Sequence, residues 1–254
     1  MVKKCDRNTA SLRIKGLKKF FLSIKNIIPI YTSPFKLMDE RLVKKLNRTK
    51  KGNRTRKALS VSEVKSLLGW LRNDTTVQGL ENHAIIFTLV TSGLRTDELC
   101  QLRWKDVELV DGKWTAVFSG KGGKDAEQEL YGPAVESCRE YFRAAFKRDP
   151  QADDSLFWTL PRYPGDRIRP LPYHALWARV KQVGEKAKAE GVIKRDIIFS
   201  PHLFRRSYAT ILYKNGMGLK AVQAKTRHAN IDTLLKHYVY DDELATPYLE
   251  RVLR

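Results

Sequence analysis

The sequence predicts an α+β protein that is mostly helical and contains one small antiparallel β-sheet. Apolar residues recur at helical spacing through most of the 254 residues, with a helix stop at Gly93 and a helix start at Pro201. One stretch alternates instead: residues 114–118 are predicted to form a strand, residues 120–124 a glycine-rich turn, and residues 128–131 the returning strand. A chain of this length can bury a substantial core.

The first 58 residues are predicted to form a helix followed by a basic linker. Residues 1–35 carry apolar residues at helical spacing with lysines between them, and Ser33-Pro34 ends this segment. Residues 41–58 are rich in lysine and arginine and include Gly52, which is typical of a linker. Such a linker either follows a phosphate backbone or is a solvated tether. Its candidate DNA-binding residues are Lys44, Lys45, Lys50, Lys51 and Arg54.

Capping signals predict where the next helices begin and end. Ser60 and Glu63 form a capping-box pattern ahead of an apolar helical face that extends to residue 71. A more apolar helix over about residues 82–92 stops at Gly93, a residue suited to the left-handed position after a helix.

The following helix is predicted to begin at Thr96 as its N-cap and to end at Trp104 and Val107. Its first turn contains two acidic residues, where the helix dipole favours negative charge. Later helical segments are predicted over residues 133–147, 174–190 and 201–214, and around Leu219 and Val222.

The charge balance indicates a polyanionic partner. Lysine and arginine number 48 against 28 aspartate and glutamate residues, which gives a formal net charge of +20. Nucleic acid is the commonest polyanion, so a DNA- or RNA-binding protein is the first interpretation. The alternatives are an acidic protein partner and a basic surface that is merely solvated.

The cysteine pattern and hydropathy exclude several classes of protein. Cys5, Cys100 and Cys138 are widely spaced, so we expect neither a disulfide framework nor a zinc cluster, and the pattern favours a reducing, cytoplasmic compartment. Cys100 and Cys138 are predicted to be core residues. The apolar run over residues 20–31 is interrupted by Lys25 and is too short to cross a bilayer, so no membrane partner is expected.

The last quarter of the chain carries a candidate anion site. His202 and Arg205 are three residues apart after Pro201, so they project from one face of the predicted helix. A base and a fixed cation on one face can hold a phosphate. Taken alone, the pair is more typical of an ordinary structural helix.

Six residues in a fixed order strengthen the functional interpretation. They are Arg95, Lys121, His202, Arg205, His228 and Tyr238. The segments that contain them are residues 91–99 (TSGLRTDEL), 120–124 (GKGGK), 202–205 (HLFR) and 228–231 (HANI), followed by Tyr238. In order and rough spacing they resemble the tyrosine recombinase (phage integrase) family over about residues 57–254. The resemblance implies the tyrosine recombinase catalytic-domain fold, with Lys121 on its small sheet.

The resemblance also implies a role for each residue. Tyr238 is the expected nucleophile, which forms a 3′-phosphotyrosyl link to DNA, and Arg95 and Arg205 are expected to clamp the scissile phosphate. Lys121 is the expected general acid for the leaving 5′ oxygen. The resemblance further implies His202 as general acid/base, His228 as a phosphate hydrogen-bond donor and Glu98 as a supporting carboxylate. Lys124 and Arg206 are further candidate DNA-binding residues.

Elementary chemistry agrees with these residue types. In-line attack on a phosphodiester accumulates negative charge on the non-bridging oxygens, and arginines supply fixed, bidentate and permanently charged donors. The sequence shows no carboxylate cluster typical of a magnesium site and no nucleotide-binding glycine loop, so no metal or cofactor is expected. Because the tyrosine pKa is about 10, forming the phenolate at pH 7 costs roughly 4 kcal/mol, which a neighbouring base or cation must offset.

Several positions depart from the family pattern. Arg227 stands where the family commonly has glycine, and Arg206 where it often has histidine. Tyr240 follows Tyr238 by two residues, so on a helix the two side chains point about 200° apart and only one can reach the phosphate. The spacing from His228 favours Tyr238, and Tyr240 is predicted to be structural.

The N-terminal part is shorter than the resemblance implies. We expect residues 1–40 to be a remnant of a helical core-binding (SAM-like) DNA-binding domain, residues 41–58 the linker and residues 59–254 the catalytic domain. The expected function is site-specific recombination of double-stranded DNA by a homotetramer on synapsed sites, at the nucleoid. The alternatives are a type IB topoisomerase-like nicking and closing enzyme and a non-catalytic DNA-binding regulator of recombination.

Overall fold

A computed structural model of the chain describes residues 7–37, 58–119, 125–159 and 167–227. The chain divides into two compact units, residues 1–55 and residues 56–254. The boundary falls within the predicted linker, of which only residue 58 is described. Across the described ranges, none of the helices combines the length and the apolar composition that a membrane span requires.

The described part of the N-terminal unit consists of two helices, α1 (Arg7–Ile27) and α2 (Pro34–Leu37). The prediction of a single helix ending at Ser33-Pro34 was therefore wrong. Pro29 disfavours the helical conformation at the residue before it, so α1 stops at Ile27. Pro34 opens α2 instead, because a proline at the first helical position loses no hydrogen bond.

The larger unit is built mainly from helices around a small sheet. Its described helices are α3 (Val61–Arg72), α4 (Val77–Ser92), α5 (Thr96–Gln101), α6 (Gly132–Phe146), α7 (Tyr173–Ala189), α8 (Pro201–Lys214) and α9 (Leu219–Thr226). Its described strands are β1 (Val107–Val110), β2 (Lys113–Ser119), β3 (Asp125–Leu130), β4 (Trp158–Thr159) and β5 (Arg169–Pro170). This architecture confirms the predicted α+β class.

The predicted capping signals act as expected at α3 and α4. The Ser60 backbone N–H donates to the Glu63 carboxylate at 2.8 Å, and the Glu63 N–H donates back to the Ser60 hydroxyl at 3.2 Å. Gly93 ends α4 in the left-handed conformation, with φ at 64°. However, α4 begins at Val77 rather than at residue 82, because the side chain of Thr76 caps it.

The main sheet is antiparallel, with strand order β1-β2-β3. The β2–β3 hairpin confirms the prediction, and residues 120–124 between its strands lie outside the described residues. Strand β1 was not predicted. It pairs with β2 through a two-residue turn at Asp111 and Gly112, which both have positive φ, at 49° and 74°. Such a turn matches the twist of an antiparallel hairpin.

Helix α4 lies at the centre of the larger unit and packs against α3, α6 and α8. Its side chains Ile85, Ile86 and Leu89 are fully buried, and Phe204 on α8 is buried with them. Because α4 is covered on several faces, its sequence is apolar rather than amphipathic. The helix thereby fixes α8, which carries His202 and Arg205.

The start of the larger unit is bound to α8 and α3. The Leu59 backbone N–H donates to the Ser207 hydroxyl at 2.9 Å, and that hydroxyl donates to the Leu203 carbonyl oxygen at 2.9 Å. Arg195 adds an ion pair with Glu63 and a 2.8 Å hydrogen bond to the carbonyl oxygen of residue 58. The chain therefore joins this unit at the helix that carries Arg205.

Two predicted core cysteines lie in the described ranges. Cys138 is fully buried, which confirms its prediction, and Cys100 is half-buried against the core. Burial raises the pKa of both thiols to about 12. A thiol with so high a pKa is a poor nucleophile at neutral pH, so both residues serve packing.

Candidate active site

Arg95 is held at the start of α5 by a carboxylate one turn away. Arg95 itself is the N-cap residue, so the prediction of Thr96 as the cap was wrong. Glu98 accepts the Arg95 backbone N–H at 2.8 Å and its guanidinium Nη1 at 2.7 Å. One carboxylate thus caps the helix and orients the arginine, whose side chain is 32% exposed while that of Glu98 is only 6% exposed.

Arg205 joins the ends of two other helices. It is buried, with 2% of its surface exposed, and lies one turn after the exposed His202 on α8. Its Nη1 donates to the Gly93 carbonyl oxygen at the end of α4, and its Nη2 donates to the Thr226 carbonyl oxygen at the end of α9. Carbonyl groups at helix ends lack partners within the helix and carry partial negative charge, so a buried cation is stabilised there.

The two arginines meet at the C-terminal end of α9. Arg205 donates to the carbonyl oxygen of Thr226, and Arg95 Nη2 donates at 2.9 Å to that of the next residue, Arg227. Side chains that are 110 positions apart in the sequence therefore contact adjacent carbonyl groups. These hydrogen bonds to the end of α9 bring the two cations together, and His228 is the residue that continues the chain.

Arg227 is a site residue whose role was not predicted. It lies at the C-cap of α9 with φ at 50°, and its side chain is 18% exposed. Its Nη2 donates to the Glu98 carboxylate at 2.5 Å, its Nη1 donates to the Gln128 side-chain oxygen on β3, and its guanidinium carbon lies 4.9 Å from the centre of the Phe118 ring. The signal in the sequence was the replacement of a glycine common in the family.

The surroundings of Glu98 keep its carboxylate ionised. Burial raises the pKa of Glu98, but hydrogen bonds from the Arg95 backbone and side chain and the charges of Arg227 and Arg95 outweigh it, so the pKa lies below its usual value. Burial lowers the pKa of Arg227, which the Glu98 charge opposes. Arginine stays charged near neutral pH, so the Glu98 carboxylate lies between two cations, Arg95 and Arg227.

Several predicted site residues lie outside the described residues. They are Lys121, Lys124, His228, Tyr238 and the linker residues Lys44, Lys45, Lys50, Lys51 and Arg54. Arg206 is described and is half-buried on α8, next to Arg205. The catalytic and DNA-binding assignments of all these residues stay predictions. The structure brings together Arg95, Glu98 and Arg205, with Arg227 added.

Replacing the buried arginine should destabilise the larger unit. In Arg205→Met, the carbonyl groups of Gly93 and Thr226 lose a buried donor. Each buried acceptor left unsatisfied costs about 1–3 kcal/mol, so we expect the free energy of unfolding in urea to fall by roughly 2–6 kcal/mol. Lys220→Met, at an exposed position on α9, is the control and should stay within about 0.5 kcal/mol of the wild type. Equal stabilities of the two variants would contradict this account of Arg205.

Comparison with known proteins identifies the fold. The phage integrase family matches residues 32–244. Tyrosine recombinase XerA of Pyrococcus furiosus is 29% identical over 231 residues, which cover 89% of this chain and 72% of XerA. A solved XerH recombinase, bound to its difH substrate in a post-cleavage complex, has a TM-score of 0.60 at 24% identity, covering 81% of this chain and 55% of that one.

A second solved structure has the same fold. The Tn1549 transposon integrase in complex with transposon right end DNA has a TM-score of 0.63 at 17% identity, and the alignment covers 100% of this chain and 87% of the integrase. The family match extends over more than half of the sequence and includes Arg95, Glu98 and Arg205. This chain therefore belongs to the phage integrase family and is a tyrosine-type DNA recombinase.

Proposed function

We propose that this chain breaks and rejoins DNA at specific recombination sites through a 3′-phosphotyrosyl intermediate at Tyr238, without a metal ion or ATP. The observation that carries the proposal is the meeting of Arg95 and Arg205 at adjacent carbonyl groups of α9. Two fixed cations at one point suit the two non-bridging oxygens of a phosphodiester, whose charge grows in the transition state.

The proposed reaction conserves the number of phosphodiester bonds. The Tyr238 hydroxyl oxygen attacks phosphorus, the bond from phosphorus to the 5′ oxygen breaks, and Lys121 gives that oxygen a proton. His202 acts as general acid/base for the tyrosine proton, and His228 donates to the phosphate. Rejoining reverses these steps with a 5′ hydroxyl as nucleophile. Because a phosphate ester replaces a phosphate ester, no nucleotide hydrolysis is needed.

Charge and likeness to DNA-bound proteins support a DNA substrate. The net charge of +20 favours a polyanion, and the XerH and Tn1549 integrase structures both contain DNA. In this proposal the basic linker, Lys124 and Arg206 contact the DNA backbone, and a homotetramer assembles on two synapsed sites. Glu98 supports the site by orienting Arg95 rather than by touching the phosphate.

A suicide substrate tests the proposed function. A nick next to the scissile phosphate lets the cleaved fragment diffuse away, so the covalent product accumulates and its peptide can be mapped by mass spectrometry. We expect DNA attached at Tyr238. Strand exchange between two sites then separates a recombinase from a nicking and closing enzyme, and absence of any adduct would leave a non-catalytic DNA-binding regulator.

We expect cleavage to persist in excess chelator. The cationic side chains, rather than a bound metal, stabilise the phosphate charge in this mechanism. Adduct formation should proceed at the same rate in 10-fold chelator excess over total divalent ion, within about a factor of two, as it does with added magnesium. Loss of adduct in chelator, with recovery on adding magnesium, would contradict the proposed mechanism.

A further inference from the structure

We propose that Arg227 is a positioning residue for DNA cleavage, which fixes the Glu98 carboxylate, and through it Arg95, against the strands of the main sheet. The inference rests on the proposed function and adds a residue to it. Arg227 occupies a left-handed position at the end of α9, where a glycine would fit without strain. An arginine at a position that favours glycine, with its side chain in specific contacts, points to a role for that side chain.

The contacts of Arg227 join three separate elements. Nη2 donates to Glu98 on α5, Nη1 donates to Gln128 on β3, and the guanidinium lies over the Phe118 ring on β2. Gln128 is itself buried. A single planar group therefore links α5 to the two strands that are joined by residues 120–124, which include Lys121.

The same residue also contacts Arg95 directly. Its backbone carbonyl oxygen accepts from Arg95 Nη2 at 2.9 Å, while its side chain shares Glu98 with Arg95 Nη1. Arg95 is thus held from two sides by one neighbour. A glycine at position 227 would keep the hydrogen bond from Arg95 to the backbone carbonyl of residue 227 and lose the side-chain contact with Glu98. Substitution can therefore separate the effect of the backbone contact on Arg95 from that of the side chain.

Arginine suits this position for a geometric reason. Its planar fork presents several donors in fixed directions, whereas lysine is a point charge on a flexible stem. Lysine can satisfy Glu98 alone, but it cannot donate to Gln128 and cover the Phe118 ring at the same time. Positioning by Arg227 therefore predicts a graded series of cleavage rates. The wild type is fastest, the lysine variant is intermediate, and the glycine and methionine variants are slowest.

The test measures single-turnover adduct formation on the suicide substrate at saturating DNA. We expect Arg227→Gly and Arg227→Met to react about 10- to 100-fold more slowly than the wild type, since small misplacement of a catalytic group has effects of this size. Arg227→Lys should recover part of the rate. Glu129→Gln is the matched control, because it removes the exposed ion pair between β3 and Lys225 of α9 without touching Glu98, and it should react at the wild-type rate.

Two further readouts distinguish positioning from general destabilisation. Without Arg227 the pKa of Glu98 rises, so the acid limb of the rate profile should move to higher pH in Arg227→Met and stay near the wild-type position in Arg227→Lys. The charged groups that act on Glu98 are Arg95 and Arg227. In a double-mutant cycle, Arg227→Met should cause little further loss in a Glu98→Gln background, because both act through one contact.

The outcomes are separable. Wild-type rates in both Arg227→Gly and Arg227→Met, or losses from Arg227→Met and Glu98→Gln that multiply independently, would overturn the positioning role while leaving the recombinase function intact. Absence of adduct in the wild type would overturn the proposed function instead. Variants that bind DNA normally, cleave slowly and show the shifted acid limb would establish Arg227 as a positioning residue.

Discussion

Tyr238→Phe is expected to abolish the covalent protein–DNA product while leaving DNA affinity unchanged. Phenylalanine lacks the oxygen that forms the bond to phosphorus, so the loss should be complete rather than partial. The cations proposed to bind the phosphate, among them Arg95 and Arg205, are retained in the variant. Denaturing gels of the suicide-substrate reaction measure the adduct, and native gels measure binding.

Tyr240→Phe is the control for this substitution. It removes a hydroxyl two residues away, on the other side of any helix that contains both, and should keep both binding and the adduct. An adduct formed by Tyr238→Phe, or one lost in Tyr240→Phe, would move the nucleophile to Tyr240. Peptide mapping of the wild-type adduct decides independently between the two.

Lys121→Ala is expected to lose cleavage of ordinary DNA and to recover it on a 5′-thio substrate. An alkoxide is a poor leaving group, so protonation of the 5′ oxygen contributes about 10²- to 10⁴-fold. A bridging sulfur leaves readily without a proton, and the variant no longer needs the general acid. The ratio of single-turnover rates on the two substrates measures this effect directly.

Two variants serve as controls for the leaving-group experiment. Arg95→Ala should stay slow on both substrates, because in the proposed mechanism the Arg95 guanidinium acts on the non-bridging oxygens. Lys124→Ala should lose little cleavage activity on either substrate, as expected for a residue that contacts the DNA backbone. Rescue in Lys124→Ala alone would move the general acid three residues along the turn. If neither lysine variant is rescued, His202 becomes the candidate.

Features that depend on a few neighbouring residues were predicted well. The Ser60 capping box, the stop at Gly93 and the start at Pro201 all occur as expected, because each of these signals acts within one helical turn. Strand β1 was missed because it has four residues, of which only Val107 is buried, so it shows no alternation. The Asp111-Gly112 turn was the available signal.

Features that depend on distant residues could not be predicted. Thr96 is the better N-cap on local preference, but Glu98 also binds Arg227, 129 residues further along, and this tertiary contact favours Arg95 at the cap. Burial of Arg205 likewise depends on carbonyl groups of two other helices. The family resemblance identified the arginines, whereas the partners that hold them required the structure.

The attachment of Leu59 to Ser207 has a mechanical consequence. Tension on the preceding segment would pass along the chain into α3 and, through the hydrogen bond from the Leu59 amide to Ser207, into α8. Part of that load would therefore reach the helix that carries His202 and Arg205 through one buried hydrogen bond. A pull on the segment before Leu59 and the position of Arg205 are therefore mechanically connected through Ser207.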